Sequence, residues 1–203
     1  NNLNGKGDGG ESLGLQQRAD GSRILYVAHR GNQNCLSVVD VTNPEKTVVL
    51  AQIPSPAPGL TRCNEMGLAG NVLVVANQST GGAGGSNMNH AVTDEVRKAP
   101  AGVWILDVSD LDRVKRAKSL KDIAFSFFDT SGPHSVGVHA LWFTDGEFAH
   151  IVSGTRDSDP TNVSDDQMYV VVDVRDPKNP REVGRWWLPG TQKGDACLPG
   201  CKP

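Results

Sequence analysis

The chain reads as an all-β protein built from a short antiparallel unit used three times. Two observations predict this. The first is an apolar run ending in aspartate: Leu36-Ser37-Val38-Val39-Asp40, Val103-Trp104-Ile105-Leu106-Asp107 and Tyr169-Val170-Val171-Val172-Asp173. Its aspartates stand 67 and 66 residues apart, the fixed period of a repeat array. The second is composition: 23 glycines and 12 prolines among 203 residues, few aromatic residues, and no long run with helical apolar spacing.

Each unit resolves into strands joined by tight turns. Before the aspartate run comes another β-branched strand: Ile24–Ala28, Val72–Ala76 and Phe148–Val152. Asp20-Gly21, Ala69-Gly70-Asn71 and Asp145-Gly146 precede these strands, and glycine there permits the positive φ of a hairpin turn. Ahead of two of the turns an innermost strand is read, Glu65–Leu68 and Val138–Phe143. After the aspartate, Asn43-Pro44 and Asp176-Pro177 turn the chain into an outer strand such as Glu182–Trp187. Four hairpin-linked strands per repeat is the blade of a β-propeller. The aspartate carboxylate is expected to accept backbone N–H bonds and fix the turn between strands three and four, a structural rather than catalytic role.

These strand–Asp–turn segments, Leu36–Pro44, Val103–Asp110 and Tyr169–Pro177, resemble the LVIVD repeat, and Pro180-Arg181-Glu182-Val183-Gly184 is similar to that family's Pro-x-x-Val-Gly step. The likeness covers roughly residues 12–190, with Asp110-Leu111 lacking the usual proline and long insertions in repeats two and three. The resemblance implies a secreted or surface-exposed bacterial β-propeller and no single activity. Its units are read at 12–56, 60–122 and 134–190, with a Gly-rich insertion at 79–102 and a Cys-containing tail at 191–203.

Propellers close with about four to eight blades, so three leave two open edges. The chain starts Asn-Asn-Leu-Asn. The expectation is a partial or processed chain whose ring is completed by further sequence; completion by a second chain is the alternative. A net charge of −3 and the absence of a basic face argue against nucleic-acid binding. No apolar run approaches the roughly 20 residues of a membrane span.

Four cysteines, Cys35, Cys63, Cys197 and Cys201, lack a zinc spacing. Cys197-Leu198-Pro199-Gly200-Cys201 is the candidate for a small disulfide loop, placing the protein in an extracellular or periplasmic compartment, with free buried thiols as the alternative. Two glycosylation sequons, Asn77-Gln78-Ser79 and Asn162-Val163-Ser164, carry no weight in a bacterial protein.

Histidines are the best lead to chemistry. His134 and His139 approach and enter an innermost strand, and His29 follows a strand of repeat one. Together they are candidates to hold zinc, iron or copper on a propeller axis; the alternative is hydrogen bonding between blades. Aligning the turn glycines puts Cys63 where His139 stands in the next repeat. His150 is read as structural, and His90 stays open. Asp157, Asp159 and Asn162 are candidate Ca²⁺ ligands, although the EF-hand glycine and glutamate are missing and a solvated turn is the simpler reading. Gly81–Asn87 lacks a P-loop pattern, no G-x-S-x-G elbow is present, and Asp165-Asp166 point to opposite faces if extended. Two functions follow: a scaffold that binds a protein or small ligand, or a metal-dependent hydrolase or oxidoreductase with a His-lined axial site.

Overall fold

The computed structural model describes residues 9–31, 33–79, 98–132, 135–158 and 167–196. The described residues are mostly β-strand, with a short helix and a 3-10 turn among them. Its first sheet runs β1 (Gly10–Gln17), β2 (Arg23–His29), β3 (Asn34–Asp40), β4 (Val48–Pro54), each antiparallel to the next. The second has β5 (Thr61–Arg62), β6 (Met66–Ala69), β7 (Val72–Ser79), β8 (Gly102–Asp107) and β9 (Ala124–Asp129); β5 and β6 both pair with β7, at its two ends. The third runs β10 (Val138–Trp142), β11 (Phe148–Ser153), β12 (Met168–Asp173), β13 (Arg181–Trp186) in order.

The hairpin chemistry is as expected. Gly21, Gly70 and Gly146 take φ of +84°, +57° and +81° at the turn entering each second strand. Asp40, Asp107 and Asp173 each accept the N–H two residues on, from Thr42 (2.8 Å), Ser109 (3.0 Å) and Arg175 (3.1 Å). The carboxylates are therefore turn locks in all three units.

Two elements differ from expectation. Unit one also has an innermost strand, β1, whose pattern is inverted: Leu13 and Leu15 are exposed while Gln16 is buried. Where Asp110-Leu111 lacks proline, the chain forms helix α1 (Leu111–Arg116) and a 3-10 turn (Leu120–Asp122) instead of a tight turn. Asp110 caps α1, its Oδ1 accepting from the Arg113 N–H at 3.0 Å, and Val114 anchors the helix on the core.

Packing explains why the middle strands are continuously apolar. In unit two, Leu73, Val75, Trp104 and Leu106 join a core with Ile24, Tyr26, Leu36, Val38 and Ile53 of unit one. The alternate residues Val74, Ala76, Val103 and Ile105 join a second core with Leu141, Phe143, Ile151 and Val170 of unit three. A sheet covered on both faces has no polar alternation to show. Inner strands approach closely: a Cβ on Gly67 would meet the Phe143 carbonyl oxygen at 2.6 Å.

Only one face of units one and three is covered in this way. In unit one, Leu15, Leu25, Val39 and Val49 form a cross-strand row with Leu15 59% and Val49 45% exposed. In unit three, Ala140, Val152, Tyr169 and Trp186 form the corresponding row, Trp186 being 61% exposed. Among the described residues, no helix is long and apolar enough to cross a membrane.

Candidate functional site

The sheets touch at the aspartate-turn end, where Arg18 donates to the Val108 and Ser109 carbonyls at 3.1 and 2.6 Å, and also at the opposite end. There the last residues of each second strand touch the segment leading into the next unit's inner strand. The His29 carbonyl, ending β2, accepts the Cys63 N–H at 3.2 Å; the Ser79 N–H, ending β7, donates to the Val136 carbonyl at 2.7 Å.

A disulfide joins Cys35 to Cys63, with Cα atoms 5.0 Å apart. It ties β3 of unit one to the lead-in of β6. Sequence reading placed the candidate bridge at Cys197 and Cys201, which lie outside the described residues. The Cys35–Cys63 bridge was missed because these cysteines meet only through packing between units; the one sequence signal was that turn alignment set Cys63 at the lead-in, level with His139.

Beside this bridge lies a polar relay. β5 pairs with β7 so that Arg62 stands opposite Gln78. Arg62 Nε and Nη2 donate to Gln78 Oε1 at 3.1 and 2.7 Å. Because a guanidinium only donates, the acceptor end of the Gln78 amide must face it. The amide NH₂ then faces His139 Nδ1, 3.1 Å away. Nδ1 accepts in that contact and also lies 3.4 Å from Gln78 Oε1, to which an Nδ1–H would donate; the shorter contact favours the ring proton on Nε2. Asn64, almost fully buried, donates from Nδ2 to the His139 carbonyl, while its Oδ1 has no partner among the described residues.

Charges surround the relay. Arg30 lies 3.7 Å from Glu11. Burial pushes the Arg62 guanidinium below its ordinary range, nearby Arg30 adds to this, and Glu11 opposes it. Glu65 is pushed up, first by burial and then by Glu11, against a downward pull from His139 and a hydrogen bond with Ser12. Arg62, Gln78, Asn64 and Glu65 were not singled out from sequence, since the β5–β7 pairing that assembles them has no repeat or motif.

The predicted ligand sets fare differently. His29 is fully buried, with Nε2 2.7 Å from Ser37 Oγ. His139 is exposed, and His134 lies outside the described residues. His150, read as structural, bonds the Tyr169 hydroxyl through Nδ1 at 2.6 Å and stacks on its ring. Asp157 is engaged by Arg185 Nη1 (2.6 Å), Thr155 Oγ1 (2.8 Å) and Gln192 Nε2 (3.4 Å); Asp159 and Asn162 lie outside the described residues. Among the described residues, no three His, Cys, Asp or Glu side chains gather to hold a metal ion.

At the opposite end, Asp173, Arg175, Asp176, Asn179 and Arg181 line an open depression of about 390 Å³. Its charges are already paired: Asp173 Oδ2 lies 2.8 Å from Arg175 and 3.2 Å from Arg181. No family model matches the chain, and no curated protein matches it. Function is therefore read from the site itself.

Proposed function

We propose that the three sheets are blades of a β-propeller of the LVIVD type, and that the protein is a secreted or periplasmic scaffold. It binds a small ligand or protein at the end of the ring where the inner-strand lead-ins meet. The carrying observation is that each sheet packs on the next through an apolar core, the middle sheet turning one face to unit one and the other to unit three. A contact that joins unlike faces and repeats by rotation generates a ring when the rotation closes. The apolar outer faces of units one and three are then covered by further blades, from the same precursor or from a second chain. The Cys35–Cys63 bridge favours an oxidising compartment.

Binding is preferred over the metal-dependent enzyme because of where the candidate ligands sit. His29 is fully buried with its Nε2 2.7 Å from Ser37 Oγ, whereas His139 is exposed at the sheet end.

Electron microscopy of the native assembly tests the reading. The expected particle is a lobed ring with an axial channel and ligand density over the Arg62–His139 end. A two-layer particle without a channel overturns the propeller, and ligand density confined to the outer rim overturns the choice of binding face.

A further inference from the structure

Arg62 is half-buried, yet its hydrogen-bond partner among the described side chains is the neutral amide of Gln78. No described carboxylate comes within 4.0 Å of its guanidinium. This contrasts with Arg113, Arg175, Arg181 and Arg185, each of which meets an acid at 3.2 Å or less. Arg62 is also held rigidly, since its Nε and Nη2 are fixed on one oxygen, leaving Nη1 uncommitted among the described residues. Through the same amide, whose shorter contact is with Nδ1, the Nε2–H tautomer of His139 is favoured on an exposed ring. One buried glutamine thus touches two donors, one charged and one neutral.

We propose that this pair of donors forms a carboxylate-binding site, with Arg62 as the charged donor and His139 Nε2–H as the second. The proposal rests on the scaffold reading above and names the ligand class of its binding face. Two preorganised donors call for an acceptor, and a planar carboxylate matches the planar guanidinium. Gln78 and Asn64 are positioning residues: one sets the donors, and the other holds the His139 backbone.

The test is a nuclear magnetic resonance titration of the full chain in its assembled form, following the Arg62 Nε–H and His139 ring nitrogens. The probes are succinate, neutral succinamide and inorganic phosphate. Before any addition, His139 should show the Nε2–H pattern; an Nδ1–H pattern overturns the proposal. Succinate should give saturable shifts at both residues and succinamide none. Arg62→Gln should weaken succinate at least about tenfold, the loss of a charged hydrogen bond. Gln78→Glu gives Arg62 a carboxylate from the protein itself, so it should abolish the response while the chain stays folded by thermal melting. Equal shifts with succinamide, succinate binding that survives both variants, or a stronger response to phosphate each overturn it. The ring reading fails on particle shape and this proposal on the titration, so the two failures are distinguishable.

Discussion

The two ends of the sheets solve the same problem in opposite ways. At the turn end, Asp40, Asp107 and Asp173 repeat in register, and each is closed by neighbours within its own turn. At the other end nothing repeats: counting back seven residues from Gly21, Gly70 and Gly146 reaches Gly14, Cys63 and His139. One of these lies on a plain strand, one is bridged to another unit, and one belongs to a polar relay. What recurs in each unit is needed to fold each unit. What occurs once is free to serve a ligand.

The largest effect expected from breaking this contrast is at the bridge. The bond spans 28 residues, for which loop-closure entropy gives about 3–4 kcal/mol. A Cys35→Ala, Cys63→Ala double variant should lose about that much in denaturant unfolding. A loss under about 1 kcal/mol would mean that packing alone holds the first two units together. Next is Gly67→Ala. The new methyl would sit 2.6 Å from the Phe143 carbonyl oxygen and 2.7 Å from its Cβ, and backbone cannot yield as a side-chain tip does. Overpacking of this kind costs about 1–3 kcal/mol, read as a drop in melting temperature; an unchanged melt would show that β6 and β10 are not held in register.

The turn end predicts a pH effect. Hydrogen bonds from Arg175, and then from Arg181, hold the Asp173 carboxyl well below its ordinary range, and a hydrogen bond from Thr42 lowers Asp40. A carboxyl depressed in the folded state contributes stability above its unfolded pKa of about 3.9, and loses it as pH falls towards the folded value. The protein should therefore be flat near neutrality and soften below about pH 4. Asp173→Asn should melt lower at pH 7 and show a shallower acid decline. An acid decline identical to the parent's would mean that other carboxylates set it.

How far the residues disclosed this arrangement depends on the range of the interactions. The turn glycines and repeat aspartates were legible because each acts within two or three residues of itself. Strands β2, β3, β7, β8, β11 and β12 were legible because they are apolar and short. β1 was not, since its Leu13 and Leu15 face outwards while Ser12 and Gln16 bond to Met66, Gly70 and Asn71 of unit two. Its polar face has meaning only once the neighbouring sheet is present. Helix α1 is six residues long, too short for an apolar period, and its signal was the Asp110 cap. His139 was legible as an inner-strand residue; Arg62 and Gln78, sixteen residues apart, were not, because only the β5–β7 ladder puts them together.

The smallest expected effect separates ligand electrostatics from folding most cleanly. Glu11 pairs with Arg30 at 3.7 Å, with the Arg30 side chain 61% exposed, a geometry worth at most a few tenths of a kcal/mol, roughly. Glu11→Gln should leave the melting temperature nearly unchanged. It should nonetheless move Glu65, because a like charge is one of the two causes that raise that carboxyl. Carbon-detected titration should show Glu65 shifted back down while remaining above its ordinary value, since burial is the larger cause and stays in place. The same variant removes an anion beside Arg62, so succinate should bind slightly more tightly. A Glu65 titration indifferent to Glu11 would mean that the two acids do not share a field.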